Sequence, residues 1–156
     1  MTQQQGQGNN MSNFEALLQA AHEGGDYKPV VNAIPYAQLI GIDFERFGND
    51  VILKLPDNPS NIGNPILPAV HGGVVGGFME MSAALHLLMM LDTPAMPKIV
   101  DFSLDYLRAV RGGRDTFAEC QVIRQGSRVA NVIINAWQTK REEAVATARA
   151  HFLLAP

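Results

Sequence analysis

The sequence predicts an α+β fold in which a curved antiparallel sheet of about six strands wraps around one long central helix. The stretch from His71 to Leu91 is apolar on every side, which is typical of a helix that is buried all round. Short segments of alternating apolar and polar residues precede and follow it, joined by turns that contain Gly. An antiparallel sheet covers such a helix by curling around it, and a second subunit covers what the sheet leaves exposed.

The composition indicates one folded domain. The 156 residues fit a domain spanning residues 12–156, preceded by a disordered leader of residues 1–11 that is rich in Gln, Gly and Asn. The net charge of −3 argues against a general nucleic-acid binder. Cys120 is the only cysteine, which suits a reducing cytoplasm, and the first residues lack the order of a secretory signal. No ligand spacing suggests a metal site, so we expect a cytoplasmic protein that needs no metal and no cofactor.

The first elements are a short helix and a hairpin. Ser12 and Glu15 form a capping-box pattern, which predicts an amphipathic helix that ends at Gly24-Gly25. A helical turn is expected at residues 36–40. Alternation from residue 42 to residue 55 then predicts a hairpin with its turn at Gly48-Asn49-Asp50.

Residues 56–70 contain four prolines and three asparagines, which predicts a loop that leads directly into the central helix. Such a loop either forms the wall of a binding site or is a simple connector. After the helix, alternation predicts four strands, over residues 98–110, 116–124, 128–139 and 144–154.

Glu80 lies in the middle of the apolar helix. An unpaired carboxylate is costly to bury, so such a residue is paired, protonated or functional. A membrane span is a poor alternative, because Glu80 and His86 would lie in the hydrocarbon and no aromatic or basic anchors flank the segment.

The order of elements resembles that of the hotdog-fold acyl-CoA thioesterases. The resemblance is carried by His71-Gly72-Gly73 at the start of the central helix, by Glu80 nine residues after the histidine, and by SLDYLRAVRGG in the following strand. It covers roughly residues 34–154 and points to the branch that contains the phenylacetate-pathway and hydroxybenzoyl-CoA thioesterases. It implies a hotdog fold and the hydrolysis of an acyl or aryl-acyl thioester to a free acid and CoA.

The resemblance also implies roles for single residues. Glu80 matches the catalytic acid, acting as general base or nucleophile. His71 and Gly72 match the residues that open the helix, where a backbone N–H polarises the thioester carbonyl, and Gly73 lets the substrate approach the backbone closely.

Two positions depart from the family pattern. The family often has an asparagine or glutamine that positions water six residues before the histidine, where this chain has Pro65. Asn64, one residue earlier, is the candidate for that role. A hydroxyl residue sometimes used after the helix has no match beyond the neighbouring Ser103.

The spacing of these residues predicts a dimer. Nine residues of helix span about 13.5 Å, at ~1.5 Å per residue. One thioester carbonyl therefore cannot contact both His71-Gly72 and Glu80 of the same helix. If both act on one substrate, Glu80 comes from the second subunit, and we expect a homodimer with two shared sites, or a dimer of dimers that forms a homotetramer.

Simpler roles remain open for each candidate. One alternative is that Glu80 is only a structural carboxylate paired with His86 or with an arginine of the sheet, and that His71 is only an N-cap. Ser82 and His86 share one face of the helix, and we interpret them as a core histidine with a hydroxyl partner. Arg108, Arg111, Arg114 and Arg128 are candidates for holding the phosphates of CoA, or they line a solvated strand end.

Two alternative functions accompany the thioesterase. One is a hotdog hydratase or dehydratase acting on an acyl thioester. The other is a non-catalytic module that binds an acyl thioester or an acyl-carrier protein.

Overall fold

The helices and strands are taken from a computed structural model that describes residues 5–47, 50–91 and 95–154. The elements are α1 (Gln5–Gly24), α2 (Lys28–Asn32), α3 (Pro35–Ile40), β1 (Asp43–Phe47), β2 (Asp50–Leu55), a 3₁₀ turn (Pro59–Asn61), β3 (Ile62–Asn64), β4 (Ala69–Val70), α4 (Gly72–Met90), β5 (Lys98–Tyr106), β6 (Thr116–Gln125), β7 (Val129–Trp137) and β8 (Ala146–Leu153).

Six antiparallel strands form the main sheet, in the order β1-β2-β6-β7-β8-β5. The predicted sheet of about six strands around a central helix is therefore confirmed. Strand β5 lies at one edge, next to β8, and ends at Tyr106 rather than at residue 110. It ends there because the N–H groups of Leu107 and Arg108 both donate to the carbonyl of Val145, which takes the chain out of the ladder.

Helix α4 packs on the inner face of this sheet. Phe78, Met79, Leu85, Leu87 and Leu88 are almost completely buried, and each such side chain contributes about 1.5–3 kcal/mol by leaving water. The helix is long and apolar enough to cross a membrane, but 56% of its apolar window is buried inside the chain. We therefore interpret α4 as the core helix that the sequence predicted.

The first helix differs from its prediction. Helix α1 begins at Gln5, before the expected N-cap at Ser12, so the predicted leader of residues 1–11 overlaps a helix, while residues 1–4 lie outside the described part of the chain. A helix that packing stabilises at one end extends at low cost, because nucleation is the costly step. At the far end of α1, His22 Nε2 lies 2.9 Å from the carbonyl oxygen of Leu88 in the last turn of α4.

The predicted loop of residues 56–70 contains a small two-stranded sheet, β3 paired with β4. The turn predicted at residues 48–50 lies between β1 and β2, and residues 48 and 49 are outside the described part of the chain. Cys120 pairs with Ile134 in the β6–β7 ladder, and burial raises the pKa of its thiol well above the ordinary value. The side chain thus stays protonated, which suits a core residue.

Candidate active site

The entry to α4 is fixed by the β3–β4 hairpin. The N–H of His71 donates to the carbonyl of Asn61 over 2.8 Å. Gly63 packs against His71 so closely that a Cβ at residue 63 would lie 2.6 Å from His71 Cβ and 2.7 Å from its Cα. Only glycine fits at residue 63, so the hairpin holds in place the residue that directly precedes the helix.

His71 is the N-cap of α4. Its Nδ1 accepts a hydrogen bond of 2.9 Å from the N–H of Gly73, which satisfies one of the free donors at the helix start. This is the N-cap role that the sequence left open as the simpler alternative. Because Gly73 N–H is already bonded, it is not free to polarise a substrate carbonyl.

The N–H of Gly72 remains available. Within the described residues it has no acceptor, whereas the carbonyl of Gly72 accepts a hydrogen bond of 2.7 Å from the hydroxyl of Tyr106. Tyr106 belongs to β5 and lies over the start of the helix. A cavity of about 360 Å³ opens here, lined by Val70, Gly72, Val75, Tyr106, Leu107 and neighbouring backbone. The unpaired N–H of Gly72, at the positive end of the helix, therefore lies beside a cavity that a ligand can enter.

Glu80 is partly buried, and in the part of the chain that the structure describes it makes no hydrogen bond and no ion pair. The pairing with His86 or with an arginine of the sheet is therefore not observed. Gly73, Gly76 and Gly77 precede Glu80 on the same side of the helix, one and two turns away. These glycines have no side chains of their own, and side chains from other elements approach the helix at Gly76 and Gly77.

Gly72 and Glu80 are separated by eight residues, or about 12 Å along α4 at ~1.5 Å per residue. The structure places them at two points of one helix rather than in one cluster. This matches the spacing from which the sequence predicts a site shared between two subunits.

Two further candidates lie away from Glu80 within the chain. The side-chain oxygen of Asn64 accepts hydrogen bonds from the N–H groups of Ile66 (3.0 Å) and Leu67 (3.3 Å), so it stabilises its own turn. Ser103 is exposed, whereas its neighbours Phe102 and Leu104 contact α4 at Gly76. Because alternate residues of a strand face opposite sides, Ser103 faces away from the helix.

The expected contact between Ser82 and His86 is wrong. The hydroxyl of Ser82 instead donates to the carbonyl of Phe78, one turn earlier, over 2.7 Å. Small hydroxyl residues inside helices often bond in this way. His86 is a partly buried residue without a hydrogen bond in the described part of the chain, and desolvation lowers its pKa.

Three of the four candidate arginines line one cavity. Arg108, Arg111 and Arg114 surround a space of about 390 Å³ together with Gln138, Thr139 and Glu143. Arg108 lies 3.7 Å from Glu143, and Arg114 donates to the hydroxyl of Thr139, whereas the guanidinium of Arg111 has no partner among the described residues.

The turn that carries these arginines is braced from β2. Asp57 Oδ1 accepts the N–H of Gly113 over 2.8 Å, and the N–H of Asp57 donates to Asp115 over 2.9 Å. Gly113 has a φ of +78°, which favours glycine at this turn. The second hydrogen bond helps to lower the pKa of Asp115.

Arg128 does not belong to this group within one chain. It precedes β7, whereas Gln138 and Thr139 follow β7, so the nine residues of the strand separate them by about 26 Å, at ~3.3 Å per residue. A single bound group cannot contact Arg128 and the other three arginines of the same chain. Among the described residues no group of three or more potential metal-ligating side chains occurs.

Comparison with known proteins identifies the family. The family model described as the thioesterase superfamily matches residues 67–145, just over half of the chain. This chain belongs to the thioesterase superfamily. The predictions of the family and of a thioester hydrolase are therefore confirmed.

Individual relatives agree with this assignment. A crystal structure from Chromobacterium violaceum is 42% identical, covers 88% of this chain and 96% of its own, and has a TM-score of 0.72. A phenylacetic acid degradation-related protein from Ralstonia eutropha JMP134 is 22% identical over 90% of this chain and 98% of its own, with a TM-score of 0.69, which shows the shared fold. The medium/long-chain acyl-CoA thioesterase YigI of Escherichia coli K12 is 27% identical over 62% of this chain and 71% of its own.

Sequence reasoning missed two tyrosines, Tyr106 and Tyr36, which reach α4 from β5 and α3. Neither lies near α4 in the sequence. The signal for Tyr36 was the pair of glycines at residues 76 and 77, since glycine inside a helix often marks a close approach by another group.

Proposed function

We propose that this protein hydrolyses acyl-CoA thioesters, with Glu80 as the catalytic carboxylate and the N–H of Gly72 as the group that polarises the carbonyl. One observation carries the proposal: α4 presents an unpaired backbone N–H at its start and an unpaired carboxylate eight residues later. The similarity to an acyl-CoA thioesterase of Escherichia coli supports the choice of substrate.

The chemistry needs both groups. When water attacks a thioester carbonyl, negative charge develops on the carbonyl oxygen, and an N–H donor at a helix start stabilises it. Glu80 either removes a proton from the attacking water or attacks the carbonyl itself to form an acyl-enzyme. The bond between carbon and sulfur then breaks, and the thiol of CoA leaves.

We further propose that each site is shared by two subunits. Eight residues of helix separate the two groups by more than one carbonyl can bridge, so Glu80 would face Gly72 of a second copy. The start of α4 is exposed at Gly73, which leaves room for a second copy at that point. Strand β5 adds a free sheet edge with Val100 and Tyr106 more than half exposed, which a second copy would cover.

The arginine cavity is suited to the phosphates of CoA. Arg108 and Ala109 line both this cavity and the one at Gly72, so the two spaces are adjacent. A ligand with phosphates at Arg111 and Arg114 could extend its thioester arm past Ala109 to the helix start. Guanidinium groups bind phosphate in a bidentate manner, which favours these side chains for the role.

Thiol release from short, medium, long and aryl acyl-CoAs tests the proposal. The wild type should release thiol from at least one class, and Glu80→Gln, which keeps the size but removes the charge, should lower kcat at least about 100-fold. Release from no substrate would contradict hydrolysis and favour the non-catalytic binding module. Equal release by both proteins would remove Glu80 from the mechanism.

A single turnover in ¹⁸O-labelled water distinguishes the two roles of Glu80. The label enters only the product acid if Glu80 is a general base. It enters the carboxylate of Glu80 instead, and the product acid stays unlabelled, if Glu80 forms an anhydride with the acyl group and water attacks the Glu80 carbonyl carbon of that anhydride.

A further inference from the structure

Tyr36 brings a phenol to the same side of α4 as Glu80. It is the second residue of the short helix α3, and its side chain is 41% exposed. Its hydroxyl lies against Gly77 so closely that a Cβ at residue 77 would overlap the hydroxyl oxygen. Gly77 therefore forms a notch in α4 that the end of Tyr36 occupies.

Glu80 lies one turn beyond this notch. Residues three apart on a helix are neighbours on its surface, so the Tyr36 hydroxyl, which lies at the Cβ position of residue 77, is within one helical turn of Glu80. Helical side chains also lean toward the N-terminus and cover the turn before their own Cα. This general direction would bring the carboxylate of Glu80 toward the Gly77 notch and the Tyr36 hydroxyl.

Neither polar group is engaged by the rest of the described chain. Tyr36 makes no hydrogen bond through its hydroxyl, and Glu80 makes none through its carboxylate. Because Tyr36 is exposed and Glu80 is only partly buried, both groups can bind water from outside the chain. One water molecule can bridge two polar groups that lie within one helical turn of each other, since each hydrogen bond to water spans about 2.7–2.8 Å.

We propose that Tyr36 is a positioning residue that holds the attacking water against Glu80, an inference that rests on the proposed hydrolysis. One hydrogen of the water points to Glu80 and the other to Tyr36 Oη, which leaves a lone pair aimed at the thioester carbon. Tyr36 thus takes the water-positioning role that the family often gives to an asparagine or glutamine. In this chain Pro65 occupies that position, and the side chain of the neighbouring Asn64 is bonded within its own turn.

The reaction then balances as follows. The water oxygen forms a bond to the acyl carbon as Glu80 takes its proton. The bond between carbon and sulfur breaks with its electron pair on sulfur, and Glu80 returns the proton to the thiolate. The products are the free acid and CoA thiol, and Tyr36 neither gains nor loses a proton.

The test compares Tyr36→Phe with the wild type on the acyl-CoA that the wild type hydrolyses best. Loss of one hydrogen bond to the water should lower kcat about 3- to 10-fold and leave KM within about twofold. Gln38→Ala is the matched control, because Gln38 is an exposed residue of the same helix on its other side. In a Glu80→Gln background, Tyr36→Phe should cause no further loss of kcat, since the proton acceptor is already gone.

Gly77→Ala provides a second variant that leaves Tyr36 in place. Its methyl group would displace the hydroxyl while alanine favours the helix, so kcat should fall without loss of stability. In an enzyme that already carries Tyr36→Phe, Gly77→Ala should lower kcat little further.

Three results would overturn the inference. An unchanged kcat in an active Tyr36→Phe enzyme would leave the proposed hydrolysis intact and remove Tyr36 from it. A rise in KM alone would mean that the hydroxyl binds substrate rather than water. A wild type that hydrolyses no acyl-CoA would overturn both proposals.

Discussion

Replacing Arg111 with alanine should weaken the binding of acyl-CoA without impairing the chemical step. Arg111 is the arginine of the cavity whose guanidinium has no partner in the described chain, so it is free to bind a phosphate. The turn that carries it is held by Gln138, which bonds to the backbone N–H and carbonyl of Arg111, and by Asp57, which accepts the N–H of Gly113. The substitution should therefore remove the charge and leave the turn intact.

The expected rise in KM follows from how exposed the cavity is to solvent. A hydrogen bond to a charged group contributes about 1.5–3 kcal/mol, and solvent screening at this open site reduces that to about 1–2 kcal/mol. At ~1.4 kcal/mol per tenfold change, KM should rise about 5- to 30-fold while kcat stays nearly constant. Arg108→Ala should have a smaller effect, because Arg108 already faces Glu143 at 3.7 Å.

The assay is steady-state thiol release with two substrates that carry the same acyl group. Acyl-CoA contains the phosphates, and the S-acyl-N-acetylcysteamine thioester lacks them. Only the KM for acyl-CoA should rise in Arg111→Ala, and the rise should shrink as salt is added. Arg128→Ala is the control, since Arg128 lies at the other end of β7. An equal rise for both substrates, or a larger effect of Arg128→Ala, would refute the assignment of the cavity.

Three further outcomes are expected. Glu143→Gln frees Arg108 and should lower the KM for acyl-CoA about two- to fivefold, as steady-state kinetics would show; a higher KM would contradict the phosphate site. Gly63→Ala should lower the free energy of unfolding by about 1–3 kcal/mol, because its Cβ meets the backbone of His71, whereas Gly24→Ala, with open space around it, should not; thermal unfolding measures both. The pKa of His86 is lowered by burial, so the unfolded chain binds the extra proton below pH ~6.5 and stability falls on acidification. When urea unfolding is measured from pH 7 to pH 5, the free energy of unfolding of His86→Leu should depend less on pH than that of the wild type, by at most about 1.4 kcal/mol per pH unit. The same pH dependence in both proteins would contradict this.

The central helix and the two candidate groups on it were predictable because they are local in the sequence. The long apolar run predicts a buried helix. The residues His71-Gly72-Gly73 at its start and Glu80 within it indicate where the two unpaired groups lie. The alternating segments likewise predicted the sheet, because strands that are covered on one face repeat every second residue.

The surroundings of the helix were not predictable in the same way. Tyr106 contacts Gly72 across 34 positions of sequence, and Tyr36 reaches Gly77 from a different helix. Such contacts depend on how the sheet curls, which no local pattern records. The role of Asn64 was likewise not predictable. The sequence does not show that its side-chain oxygen accepts a hydrogen bond from the turn that follows it.

The grouping of Arg128 with the other arginines was wrong, and the predicted strands already indicate why. Arg114 precedes β6 and Arg128 follows it, so the length of that strand separates the two residues. Residues at the two ends of a ten-residue strand lie about 30 Å apart.

Mixing two inactive variants tests the central claim, that Gly72 of one subunit and Glu80 of another form one site. Glu80→Gln removes the carboxylate. Gly72→Pro removes the free N–H at a position where helices accept proline, and His71 has the extended ψ of 132° that a residue before proline adopts. A Cβ at residue 72 would lie 3.1 Å from the Tyr106 hydroxyl, so only a small movement of that side chain is required.

Each variant alone should release almost no thiol from acyl-CoA. After the two are unfolded and refolded together in equal amounts, half of the dimers should be hybrids, and each hybrid should contain one intact site. The account predicts recovery of about one quarter of wild-type activity, with half of the dimers working at half of their sites. No recovery, from hybrids whose formation is verified by mass spectrometry, would contradict the shared site.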